Sequence, residues 1–165
     1  MNDDDVAAPD LLGLRPLKEI TVEERVISLD DIPWVPYDEG IFVKPLRLNR
    51  RTGMWANITK VEGGMRINRH YHVNGVTGFV LQGSWYYAEK DWVAREGSFV
   101  WEPPGDIHTL ISGDDGTTTL FMLEGALLYV DDDDNVVGFD DVLAHMHTYH
   151  EFCRSEGIEP LDLDY

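Results

Sequence analysis

The sequence predicts a single all-β domain, an antiparallel sandwich or barrel carrying one helix at its C-terminal end. Three observations predict it. Short apolar runs rich in Val, Ile, Thr, Phe, Trp and Tyr recur roughly every 8 to 12 residues between Ile41 and Val130. Glycines break those runs, and a helical period surfaces only after residue 140. With 165 residues, 43% of them apolar, the chain can bury one core but not two ordinary ones.

In chain order, residues 1–10 are acidic and small and read as disordered. Residues 11–40 hold short apolar pieces broken by Pro16, Pro33 and Pro36, an arm laid across the body. The barrel is expected over 41–130, with strands at Ile41–Leu48, Met54–Val61, Gly78–Gln82, Ser84–Ala88, Ser98–Glu102, His108–Ile111, Thr117–Leu123 and Ala126–Val130. Antiparallel closure follows because no helices separate these strands. Residues 131–165 supply a loop and the helix. Val142, Met146, Tyr149 and Cys153 fall at i, i+4, i+7 and i+11, on one helical face. Asp140 and Asp141 suit its start, and Gly157 followed by Pro160 ends it. That face is expected to pack on the outside of the barrel.

Charge narrows the partners. Thirty-one acidic against 13 basic residues give a net charge of −18, which repels nucleic-acid backbones and anionic lipid surfaces. A neutral or weakly acidic small molecule is the expected ligand. Cys153 is the single cysteine, so neither an intrachain disulfide nor a cysteine-rich zinc site can form. The opening Met-Asn-Asp-Asp-Asp lacks the basic and apolar regions of a secretory signal, and no run is long enough to cross a bilayer. The expectation is a soluble cytoplasmic protein. Asp131–Asn135 lacks the glycine and final glutamate of an EF-hand and reads as a charged turn; Arg66 and Arg69 read as surface partners for acids.

Six histidines divide into two groups. On a strand, residues two apart share a face, so His70 and His72 present both imidazoles to one side and can converge on one ion. On a helix that spacing splays the rings, so His145 and His147 cannot share a metal; His147 and His150 could, but with no third ligand nearby they are read as surface residues. A sharper signal runs from Gly97 to His108, with the spacing G-x5-P-x-G-x2-H. There a strand ends at Glu102, a Pro-Pro-Gly turn reverses the chain, and the next strand starts by presenting His108 inward.

Together with Gly64-x5-His70-x-His72 and Gly83, this stretch resembles the two-motif signature of the cupin superfamily. The resemblance implies a single-domain small jelly-roll barrel with a metal near its axis. The segment from Gly78 through Trp85, Tyr87, Trp101 and Pro103-Pro-Gly105 to Leu110 is more narrowly similar to the 2,4'-dihydroxyacetophenone dioxygenase-like cupins. A looser likeness extends from Trp34 to Glu159. At Val76 and Thr77 the sequence departs from the general pattern, which carries a glutamate ligand there. Three neutral imidazoles would leave the ion its full charge and favour a bidentate oxygen ligand.

The resemblance implies mononuclear non-haem iron(II) on His70, His72 and His108, with zinc, nickel or manganese as alternatives in the isolated protein. It further implies oxygen-dependent C–C cleavage of a small oxygenated aryl ketone. Glu102 and Glu96 are the candidate general bases. Trp55, Phe79, Trp85, Tyr87 and Trp101 are candidates to line an apolar pocket around an aryl ring. The alternatives are a zinc-binding regulatory or sensor cupin, or a β-diketone-cleaving dioxygenase. Exposed barrel edges suggest a homo-oligomer, dimer or tetramer.

Overall fold

The computed structural model describes residues 24–165, and the reading of residues 1–10 as disordered lies outside them, as does the first part of the arm. After a short 3-10 turn at Leu29–Asp31 the chain forms β1 (Val35–Asp38), β2 (Ile41–Asn49), β3 (Met54–Val61), β4 (Arg66–His72) and β5 (Val76–Tyr87). There follow β6 (Val93–Arg95), β7 (Phe99–Glu102), β8 (Ile107–Glu124), β9 (Leu127–Val130), β10 (Val136–Asp140) and α1 (Val142–Glu156). All ten strands join one antiparallel sheet in the order β1-β2-β3-β8-β4-β9-β10, with β5 also on β8 and carrying β6 and β7. The sheet curls into a cupin-type barrel.

The spine of the barrel is β8, eighteen residues long. Its first part pairs with β4, its second with β3, and β5 runs along both. Two pairs of expected strands are therefore single strands here. Gly83, read as a break, is a bulge: its φ of 73° and the carbonyl of Gly116 leave no room for a Cβ. Gly113 and Gly116 likewise sit within β8 and do not end it. The segment read as an arm contributes β1, paired to β2. The strand β10 was not anticipated. It folds back on β9 through Asp131–Asn135, where the Asp131 carboxylate accepts from the amides of Asp133 and Asn135.

Alternation decides which residues face inward. Val76, Gly78 and Val80 are buried along β5 while Phe79 and Leu81 point out. The core gathers Leu48, Trp85, Tyr87, Leu110 and Phe121 with Val142, Tyr149 and Cys153 from α1. Each large apolar side chain buried this way contributes about 1.5–3 kcal/mol. The helix packs on β1 and β2 from outside the barrel. Among the described residues no helix is long and apolar enough to cross a membrane.

Both helix ends are satisfied as the sequence suggests. The Asp141 side chain accepts from the amides of Leu143 and Ala144, and Gly157 in the left-handed region lets Ile158 donate to the Cys153 carbonyl. Replacing Asp141 with Ala orphans two amides; we expect a loss of about 1 kcal/mol of stability, read as a lower denaturant midpoint at unchanged slope.

Candidate metal centre

His70, His72 and His108 come from two neighbouring strands, and the pairing register sets their distance. His70 lies directly opposite His108 in the β4–β8 ladder. The Pro-Pro-Gly turn before β8 is tied back to β4: His72 donates its amide to the Asp106 carbonyl at 3.1 Å, and Gly105 donates to the His72 carbonyl at 2.9 Å. Gly105 has a φ of 88°, the conformation that lets so tight a reversal form. The ring centroids lie 4.9 Å apart for His70 and His72, 4.9 Å for His70 and His108, and 4.6 Å for His72 and His108. One nitrogen from each ring falls within 4.8 Å of the others.

Each ring is held by its surroundings. A bulge in β4 brings the Asn68 carbonyl to 2.7 Å from His70 Nδ1, which therefore donates and leaves Nε2 free. Asp106 lies 3.4 Å from His108 Nδ1 and does the same there. Tyr87 stacks flat on His108, centroids 3.5 Å apart. Burial pushes His70 down to about 4, with the charge of His108 adding to it, and the Asn68 carbonyl opposes. Burial likewise pushes His72 down to about 3, against the pull of Glu102. Both rings are neutral at pH 7, the form that offers lone pairs.

The arrangement fits a divalent cation. His72 Nε2 and His108 Nε2 face each other at 3.1 Å, close to the separation of two nitrogens bound to one ion at roughly 2.0–2.2 Å. Two lone pairs so placed repel unless something positive stands beside them. Among the described residues, His72 Nδ1 and both carboxylate oxygens of Glu102 are buried without a hydrogen bond. Such orphaned groups cluster where an ion is expected.

The expectation of a centre with no carboxylate beside it is corrected. Glu102, 3% exposed, brings Oε2 to 3.3 Å from His72 Nδ1 and 3.5 Å from His108 Nε2. The reason is register: Glu102 pairs across the ladder with Val76, one of the two positions where the general pattern carries its glutamate. The neighbouring strand thus delivers an acid to much the same place. Its negative charge, after burial, pushes the Tyr87 hydroxyl above the ordinary tyrosine range and keeps it a donor.

A cavity of about 260 Å3 opens from the histidines through an apolar interior. Trp55, Tyr87 and Glu102 line it together with His70 and His72. The other candidates do not. Phe79 is 41% and Trp101 62% exposed, because both stand on the outer face, in register with Phe99 and Thr77 respectively. Trp85 is wholly buried, packed at 5.0 Å on Tyr87 and 5.9 Å on Phe121, as core. Glu96 is exposed in the turn between β6 and β7, away from the cavity.

His145, to which the sequence gives no role beyond its inability to share a metal with His147, is 5% exposed and lines the cavity between Tyr37 and Trp55, at centroid distances of 4.7 and 4.1 Å. Its place on the helix explains this: it follows Val142 by three and precedes Tyr149 by four, on the buried stripe. That phase was available in the sequence. His147 and His150 are exposed. Tyr37, Tyr129 and Asp140 also line the cavity, and no local motif pointed to them.

A β-barrel with clustered histidines on neighbouring strands over an internal cavity defines a cupin. Residues 22–128 match the ChrR cupin-like domain family, and the chain belongs to it. The fold is similar to an RmlC-like cupin protein from Ralstonia eutropha JMP134, with a TM-score of 0.84 and 33% identity over 91% of this chain and 99% of that one. It is also similar to an acetylacetone dioxygenase from Acinetobacter johnsonii, with a TM-score of 0.71 and 21% identity over 80% of this chain and 94% of that one. The anti-sigma factor ChrR, solved with SigE of Rhodobacter sphaeroides, shares the fold with a TM-score of 0.50 and 18% identity over 58% of this chain and 51% of the matched one. No curated protein matches the sequence.

Two outcomes check this geometry. His108→Ala is expected to drop bound metal from one equivalent to near zero in elemental analysis of the dialysed protein. The pH dependence follows from the lowered histidines: between about pH 6.5 and pH 3 the unfolded chain binds protons that His70 and His72 refuse when folded. Stability of the metal-free protein is therefore full above pH 6.5 and falls as pH drops through that window. Denaturant midpoints at stepped pH measure it, and His72→Leu is expected to flatten the slope.

Proposed function

We propose that the protein is a mononuclear non-haem iron(II) dioxygenase that cleaves a C–C bond of a small oxygenated aryl ketone. The observation that carries this reading is the joining of three buried imidazoles to a largely apolar cavity with one carboxylate free of hydrogen bonds beside them. A structural histidine cluster has no use for the cavity, and an ordinary apolar pocket has no use for the histidines. For a hydroxymethyl ketone the products are a carboxylic acid and formic acid, both atoms of dioxygen being retained.

His70, His72 and His108 would hold the ion. Bound there, iron(II) supplies Lewis acidity toward the ketone and hydroxyl oxygens and the electrons by which dioxygen reacts. The chain supplies the rest. Glu102 has both oxygens free of hydrogen bonds, so either accepts the proton the substrate must lose. Tyr87 keeps its proton and stands beside that carboxylate as a donor. Ile41, Val43, Leu110 and Leu123 line the cavity and exclude water from the reacting carbon. A cavity of roughly 150 Å3 holds benzene, so this one accommodates a single substituted ring with a short side chain.

The second reading is a zinc-binding sensor cupin, favoured by the family match to ChrR cupin-like domains. Zinc accepts the same three nitrogens and has no redox chemistry. A β-diketone substrate is the third, in line with the acetylacetone dioxygenase fold likeness.

Oxygen consumption separates them. Iron(II)-loaded protein with hydroxymethyl aryl ketones is expected to consume one dioxygen per ketone and release formate. Glu102→Gln is expected to keep its metal and lose about 100-fold or more in kcat. Uptake with β-diketones alone selects the third reading; no uptake together with tightly held zinc selects the sensor.

A further inference from the structure

We propose that the end of the cavity remote from the histidine cluster, built from Asp38 and Asp140 among aromatic rings, is a binding site for a protonated amine. The inference goes beyond the ketone reading and does not rest on it, because the amine is held whatever the histidine end takes.

The charges around the cavity point one way. Three carboxylates line it, those of Asp38, Glu102 and Asp140, and among the described residues no lysine or arginine does. Glu102 belongs to the histidine end. Asp140 is 3% exposed, and its Oδ2 lies 2.9 Å from His145 Nε2, which donates to it. Its Oδ1 has no hydrogen-bond partner among the described residues. A helix-pinning role explains the first contact, since Asp140 stands just before α1 and its bond to His145 fixes the first turn. It does not explain a buried carboxylate oxygen left without a donor. The ring of His145 is clamped between Tyr37 and Trp55, so it cannot turn to serve both oxygens.

Asp38 reaches the same place from the opposite end of the strand order, on β1. A register shift in β1 between Pro36 and Asp38 lets the chain neighbours Tyr37 and Asp38 both line the cavity, where regular alternation would turn one of them away. Tyr129 stands within reach of both acids: after burial, the charges of Asp140 and Asp38 push its hydroxyl above the ordinary tyrosine range. The distance from the histidines follows from register. His72 pairs with Leu127, and Leu127 with Asp140, so two strand spacings, roughly 9.5 Å, separate the two ends along one rung.

A hydroxyl would give one hydrogen bond and leave the charge unmatched. A primary ammonium brings three donors and the opposite charge, and its bonds to carboxylates are the stronger kind. Asp140 Oδ1 and Asp38 accept from it, and Tyr37, Trp55 and Tyr129 line that end with aromatic rings, which favour a cation. A carboxylate or phosphate would meet two like charges there. The net charge of −18 draws small cations toward the molecule as a whole. At about 260 Å3, against roughly 150 Å3 for a cavity that holds benzene, the ligand class is a small amine of no more than one ring.

The test is calorimetry on zinc-loaded protein at pH 7 with two probes of equal size, benzylamine, which is protonated there, and benzyl alcohol. The amine is expected to bind about tenfold or more tightly than the alcohol. Asp140→Asn, confirmed folded by its thermal midpoint, is expected to abolish most of that difference while leaving the alcohol's affinity unchanged. Asp38→Asn, at an exposed position, is expected to reduce it about threefold and decides the matter should Asp140→Asn not fold. Equal affinities in the unaltered protein, or no binding of the amine, overturn the site. An amine affinity unchanged in the folded aspartate variants places the amine on zinc or Glu102 and also overturns it. Oxygen uptake with ketones is measured separately, so either reading can fail alone.

Discussion

The whole arrangement depends on the antiparallel pairing of β4 with β8. That ladder sets His70 opposite His108, and the backbone bonds between His72 and the turn at Gly105-Asp106 lock the third ring beside them. Strand pairing fixes Cα positions to within the tolerance that metal coordination demands, which a loop-borne site would not do. Slipping the register by one residue would turn His70 and His72 to the other face of the sheet. The bulge at Asn68 and Arg69 absorbs the curl of the barrel and also places the carbonyl that orients His70.

Burial then does two kinds of work at that site. It strips charge from the imidazoles of His70 and His72, leaving them neutral with lone pairs to offer, and it collects polar atoms that the described residues cannot satisfy. His72, Glu102 and Asp140 all carry such atoms and all line one cavity. An interior otherwise built from Leu, Val and aromatic side chains tolerates unpaired polar atoms only at a cost, and their concentration in one place marks that place as built for something else to bind. With a surface as negative as −18, a small neutral molecule approaches this cavity more readily than an anionic one.

Where a feature is local, the sequence carries it plainly. The Gly97–His108 spacing encodes a strand, a turn and an inward histidine within twelve residues, and the helix limits at Asp141 and Gly157 are capping chemistry readable at sight. What escapes is set by contacts between distant segments. That Trp101 faces out and Glu102 in follows from which strand β7 joins, and the pairing of Glu102 with Val76 restores a carboxylate that reading along the chain had struck out. β10 is short and exposed on most of its length, so its alternation is faint, and Asp140 is invisible as a cavity residue until β10 pairs with β9. His145 is different: its helical phase placed it on the buried stripe, and the metal-ligand geometry that excluded it from sharing an ion with His147 said nothing about its burial.

The most direct check on this account is the X-ray absorption fine structure of the protein loaded with one equivalent of iron(II). Three imidazole scattering paths at about 2.1 Å are predicted, with oxygen ligands filling the remaining positions. A shell fitted with one imidazole or none would show that the rings of β4 and β8 do not share an ion, and the chemistry built on them would fall with it.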